Sequence, residues 1–244
     1  MKNEARKSEI LLAGHIEAHQ GNTLSDIILG GQDGLVNVLG VILGVAAASN
    51  SIRLVLAAGL AATFAESISM AAVAYTSNVA ERDYYYRQVK REKEEMRDVP
   101  EVEREEIREI YRNKGFQGDL LEKVVDTITS NEEVWLDTMM REELMLAPIQ
   151  KGRPFMAALV VGFSAVIGSL VPLFPFLFLP IQQGIYVSLI VSAVVLFIVG
   201  AMKARLTVGH WGKSGFEIAI IGIISALAGY GVGLLFTPPG TAVP

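Results

Sequence analysis

The sequence predicts an all-α membrane protein of five transmembrane helices, with a three-helix cytoplasmic insert between spans two and three. Three observations predict it. Five apolar runs are each long enough to cross a hydrocarbon core of about 30 Å, which takes about 20 helical residues. Charge is gathered in one block: Glu81 to Arg153 holds 14 Lys/Arg and 19 Asp/Glu, against 7 of each elsewhere, so the net charge of −5 sits wholly there. Lys and Arg also alternate between rich and poor along the segments that join the spans, as the positive-inside rule requires of a multi-pass protein.

In chain order, residues 1–23 read as an N-terminal amphipathic segment. Ser8 to His19 has Ile10, Leu11 and Ile16 on one side, a pattern suited to the membrane surface. His15 and His19 stand at i, i+4, a spacing that fits either a metal pair or a plain polar face. Residues 24–80 hold spans one and two. Span one, Leu24 to Ala48, contains Asp26, Gln32, Asp33 and Asn37, with Gly30/Gly34 and Gly40/Gly44 at the small-xxx-small spacing that lets helices approach closely. Span two starts after Ser49-Asn50-Ser51 and carries Glu66 and Met70. No helix breaker follows it, so the spacing predicts one helix from Leu54 to Arg97.

Residues 81–150 form the cytoplasmic domain. Pro100 suits a helix first turn and Gly115 a helix end. A weaker helix over Gly118 to Thr129 follows, then a helix from Glu132 to Leu146 capped by Asn131 and ended by Pro148. Residues 151–244 hold span three (Pro154 to Phe174, stopped by Pro172 and Pro175), span four (Ile181 to Ala204) and span five (Gly215 to Phe236, with Gly229/Gly233). Lys2, Arg6 and Lys7 precede span one, and only Arg53 lies in the first loop. The insert is rich in Lys and Arg, the turn after span three has none, Lys203, Arg205 and Lys213 follow span four, and the C-terminal tail has none. The N-terminus and insert are therefore expected on the cytoplasmic side and the C-terminus on the opposite side.

Composition excludes several classes of chemistry. There is no cysteine, hence no disulfide, thiolate metal site or cysteine nucleophile. None of the three histidines lies in the insert. An acidic insert does not suit nucleic acid, whose affinity comes from basic groups on phosphates; it suits cations. Glu92 and Glu95 share a helix face at i, i+3, and Glu103 and Glu106 repeat the spacing on the next helix. Met139 and Glu143 stand at i, i+4 on a third, with Met140 beside them. Carboxylates with thioethers favour a softer first-row ion such as Fe²⁺ over Mg²⁺ or Ca²⁺. The alternative reading of these acids is a solvated helix face. Oxygen-activating di-iron chemistry is disfavoured, because its helices carry Glu-x-x-His pairs.

In the membrane, Asp33 and Met70 lie at similar depths from the cytoplasmic ends of their spans. Glu66 lies one turn further, near the level of Asn37. An acid within a span is a functional candidate, and these four residues mark a path; the alternative is a buried polar contact that fixes helix packing.

These motifs together resemble the vacuolar iron transporter family. The resemblance rests on Ile28-Leu29-Gly30-Gly31-Gln32-Asp33-Gly34-Leu35, Ser69-Met70 and Arg91-Glu92-Lys93-Glu94-Glu95-Met96. It continues in Val99-Pro100 with Glu103 and Glu106, Trp135-Leu136-Asp137, Met139-Met140-Arg141-Glu142-Glu143-Leu144, and Pro172-Leu173-Phe174-Pro175-Phe176. It implies a homodimer that moves Fe²⁺ and Mn²⁺ out of the cytosol in exchange for protons. It implies metal ligands at Glu92, Glu95, Glu103, Glu106, Met139, Met140 and Glu143, and a path through Asp33 and Met70. The family often carries a glutamate eight residues before the methionine, where this chain has Ala62; here the acid is Glu66. The expectation is a metal transporter and not an enzyme, with no tightly bound cofactor, Fe²⁺ or Mn²⁺ as substrate and Zn²⁺ as a surrogate. Its partners are protons, the lipid bilayer and a second copy of the chain. Two rivals are a membrane-anchored acidic scaffold that docks a partner, and a cation channel with an acidic vestibule.

Overall fold

A computed structural model describes residues 2–148, 150, 152–206 and 209–237, with side chains from Thr23 onward, Leu206 excepted. The amphipathic face of residues 1–23 and the His15–His19 pair lie outside the described side chains. Among the described residues there are eight α-helices and no strand: α1 (Lys2–Ser49), α2 (Ile52–Asp98), α3 (Pro100–Asn113), α4 (Gly118–Thr129), α5 (Glu132–Thr138), α6 (Arg153–Leu173), α7 (Ile181–Leu206) and α8 (Trp211–Leu235). Five contain stretches long and apolar enough to cross a membrane: α1 from Thr23, then α2, α6, α7 and α8. The chain divides into two compact units, Met1–Tyr75 with Phe155–Pro244, and Thr76–Pro154. Helix α2 contributes to both.

The first unit is apolar outside and keeps several hydroxyls among the apolar side chains of its core. Thr63, Ser67, Ser169, Ser188 and Ser192 are buried, whereas Phe64, Ile68, Phe163, Ile167, Ile190 and Ile224 are each at least 60% exposed. An apolar exterior with its hydroxyls turned inward suits a solvent of lipid, where apolar surface costs nothing and polar groups must be satisfied internally. Small residues set the packing. A Cβ on Gly30 or Gly34 would stand 2.2 Å from the Val161 carbonyl oxygen or 2.4 Å from that of Ala165, so backbone meets backbone between α1 and α6. A Cβ on Gly229 or Gly233 would stand 2.3 Å from the Gly40 oxygen or 2.1 Å from that of Gly44, which joins α8 to α1 the same way. The small-xxx-small pairs expected from the sequence are therefore the contact points themselves. In both pairings the residue numbers rise together, so α1, α6 and α8 run parallel, as the first, third and fifth of five alternating spans must.

The second unit has a core of Ile107, Leu121, Val125, Ile128 and Met139. The punctuation read from the sequence holds. Pro100 opens α3 at its first turn, and Gly115 stands at φ +97° just past its end. The Asn131 side chain accepts from the backbone N–H of Glu133 and Val134, at 2.9 and 3.2 Å, and caps α5. The last helix differs from expectation. Instead of continuing to Leu146, α5 ends at Thr138 and passes into a π turn over Met139–Glu143. The wider turn takes in two consecutive buried methionines, Met139 and Met140. In the first unit α8 begins at Trp211 rather than Gly215, because His210 caps it: its Nδ1 accepts from the Lys213 N–H at 3.4 Å.

Candidate functional site

Seven residues of the second unit were expected to act together: Glu92 and Glu95 on α2, Glu103 and Glu106 on α3, and Met139, Met140 and Glu143 on the π turn. Helical spacing puts each acid pair on one face. Glu92 and Glu103 are buried at 3% and 4% exposure, a rare state for glutamate without a partner. The Glu103 Oε2 is enclosed and accepts no hydrogen bond. Met139 and Met140 are buried as well.

Electrostatics tie the acids of all three segments together. Burial, then the charges of Glu106, Glu92, Glu95 and Glu143, push the Glu103 carboxyl up to about 7. Glu143 is also pushed up to about 7, by burial and by the charges of Glu106 and Glu92; its carboxyl hydrogen-bonds that of Glu106. Glu143 is nonetheless exposed as a residue, so its carboxyl is only partly shielded from water. Elsewhere in the unit acids are neutralised by ion pairs: Glu105 and Glu122 with Arg108, Asp126 with Arg104, Glu142 with Lys114, Asp137 with Arg141. Within the cluster only Glu95 has such a partner, Arg91 at 3.0 Å. Among the described residues no Lys or Arg pairs with Glu92, Glu103, Glu106 or Glu143. Nor are any three His, Asp or Glu side chains there drawn tightly enough together to enclose a cation as they stand. Closing on one requires the carboxylates to rotate inward, which their mutual repulsion opposes until a positive charge is present.

In the first unit the Asn37 Nδ2 donates to the Glu66 Oε1 at 3.0 Å, joining α1 to α2. The Glu66 carboxyl also meets that of Asp33, one helical turn before Asn37. Asp33, Asn37 and Glu66 thus form one polar contact. Met70, one turn beyond Glu66, is half-buried. Ala62, at the position where the resemblance places an acid, packs against the apolar cluster around Ile42 and Val55. Asp33 has a second neighbourhood: a cavity of about 480 Å³ lined by Ser25, Gln32 and Asp33 of α1 and Lys203 of α7, among apolar side chains of α1 and α8. Sequence reasoning used Lys203 only as an orientation signal. Its proximity to Asp33 follows from the packing of α7 on α1, which no local pattern encodes.

Five apolar helices and a polar contact built across two of them define a multi-pass membrane protein. The sequence model of the VIT family matches residues 24–234. Vacuolar iron transporter 1 of Oryza sativa subsp. japonica is 38% identical over 221 residues, 89% of this chain and 88% of that protein. Vacuolar iron transporter 1 of Tulipa gesneriana is 36% identical over 226 residues, 91% and 92% of the two chains. Protein CCC1 of Saccharomyces cerevisiae is 27% identical, over 89% of this chain and 70% of its own length. The chain belongs to the VIT family.

Proposed function

We propose that this protein carries divalent iron, and manganese with it, out of the cytoplasm in exchange for protons. The observation that carries the reading is the carboxylate cluster. Five glutamates crowd one partly desolvated cluster, two buried methionines lie in the same turn as one of them, and among the described residues four of the five have no basic partner. Like charges so placed demand cations, either protons or a metal. Oxygen ligands with thioethers suit Fe²⁺ and admit Mn²⁺. The names of the relatives, vacuolar iron transporters from several plants, agree with iron as cargo.

In this reading the second unit faces the cytoplasm and collects metal through Glu92, Glu95, Glu103, Glu106, Met139, Met140 and Glu143. The ion then passes Asp33, Asn37, Glu66 and Met70. Glu66 takes the part of the acid absent at Ala62, and with Asp33 carries the returning protons. Two copies form the working unit, and the metal is substrate rather than resident cofactor.

The test is metal uptake by proteoliposomes with and without a pH gradient. The reading expects Fe²⁺ or Mn²⁺ flux that rises when protons are supplied from the opposite side. Flux indifferent to the gradient would instead indicate a channel, and no flux a scaffold.

A further inference from the structure

Two buried hydroxyls of the first unit take no part in the proposed transport path. Ser169 on α6 and Ser192 on α7 are both 0% exposed, and neither Oγ has a hydrogen-bond partner. A serine or threonine inside a helix ordinarily donates to the carbonyl one turn back. Thr63 and Ser67 do so here, at 2.8 and 2.6 Å. An unsatisfied hydroxyl away from water costs about 1–3 kcal/mol.

The two orphans share a level. Helices α6 and α7 run antiparallel on either side of the short turn at Phe174–Leu177. The Ser188 Oγ donates to the Pro172 carbonyl at 2.7 Å, which fixes their register. Ser192 lies one turn beyond Ser188 on the same face of α7, and Ser169 lies about one turn before Pro172 on α6. The Ser169 Oγ points toward α1, 2.7 Å from where a Cβ on Gly34 would stand. A third polar group belongs to the same level. Pro172 lies inside α6 and has no N–H, so the carbonyl of Gly168, four residues back, receives no bond from it.

We propose that the Ser169 and Ser192 hydroxyls and the Gly168 carbonyl hold one buried water molecule between α1, α6 and α7. The water accepts from the two hydroxyls and donates to the carbonyl. Three partners are the usual number for an internal water. Ordered waters and serine side chains are also what make proline tolerable within a membrane helix. All three partners are neutral, which suits water and not a divalent ion, whose desolvation neutral groups do not offset. The bridge ties the α6–α7 pair to the stretch of α1 that follows Asp33.

X-ray radiolytic footprinting of the full chain in nanodiscs tests this, because a bound water generates the label where it sits. Leu35, buried on α1 next to Gly34, should be labelled above the equally buried Ile42 and Val55, and the excess should vanish in the Ser169→Ala/Ser192→Ala double variant. Equal labelling, or an excess that survives both substitutions, overturns the proposal. Thermal unfolding gives an independent reading. Each single variant should lower Tm, and the double variant should fall no further than the worse single one, since the water leaves with its first lost partner. Unchanged or raised Tm in the single variants would mean that the hydroxyls pack dry. A wild-type Tm higher in Na⁺ than in choline, with the difference lost in the double variant, would mean a monovalent cation in place of water.

Discussion

Glu103 holds one carboxylate oxygen away from water with nothing to donate to it, in a unit where other acids find an arginine or lysine. Such a side chain opposes folding unless a cation arrives. Two predictions follow at this scale. Glu103→Gln with Glu106→Gln should raise the Tm of the metal-free chain, because repulsion and a buried charge are removed. It should also weaken Zn²⁺ or Fe²⁺ binding by at least about tenfold, a loss of about 1.4 kcal/mol. Glu101→Gln with Glu109→Gln, on the exposed side of α3, should do neither. Calorimetric titration and melting curves on the same samples check both, and equal losses from the two pairs would mean diffuse charge. The second prediction concerns pH. Glu103 and Glu143 carry pKa values raised to about 7, so the folded chain retains protons that the unfolded chain releases. That stabilisation is complete below about pH 4.5 and is lost as pH rises through about 7. The metal-free chain should therefore lose stability over this window relative to a Glu103→Gln/Glu143→Gln variant. Metal displaces the same protons, so affinity should rise with pH across the same range, with protons released on binding. Melting curves and titrations in buffers of different ionisation enthalpy measure both.

At the scale of elements, glycine spacing was the most informative sequence signal, and it predicts unequal outcomes from like substitutions. Gly34→Ala places a methyl 2.4 Å from the Ala165 carbonyl oxygen and must push α1 from α6, at a cost of about 1–3 kcal/mol. Gly40→Ala, whose nearest neighbour would be 3.7 Å away, should be tolerated and gain up to about 1 kcal/mol of helix propensity. Thermal denaturation of the purified variants separates them. The helix boundaries at Pro100, Gly115 and Asn131 were legible because caps and breakers act within a few residues. The π turn at Met139–Glu143 was not, since apolar periodicity does not encode an i to i+5 bond. The His210 cap was missed because histidine is an uncommon capping residue. The membrane polar contact was legible in its members and in one of its pairs, since depth set Glu66 level with Asn37 and the two hydrogen-bond. Depth also placed Asp33 opposite Met70, whereas the structure brings Asp33 to Glu66. Depth along two helices fixes a level, but rotation about their axes decides which side chains meet.

At the scale of the molecule, the two units divide the chemistry. One crowds five glutamates together, and among the described residues only Glu95 of these has a basic partner; the other is apolar outside, with acids on α1 and α2 in contact. The relation between metal and membrane acid is the central claim, and flux through Asp33→Ala tests it most directly. An acid within a span costs about 2.5–3.5 kcal/mol on insertion scales, so its removal should leave folding intact. The measurement is Fe²⁺ and Mn²⁺ uptake into proteoliposomes holding matched amounts of folded wild-type, Asp33→Ala and Glu66→Gln protein. The account predicts little metal moved by Asp33→Ala, and slower flux with a weakened response to a pH gradient in Glu66→Gln. Wild-type flux from folded Asp33→Ala would contradict it, reducing the contact among Asp33, Asn37 and Glu66 to a device for packing helices.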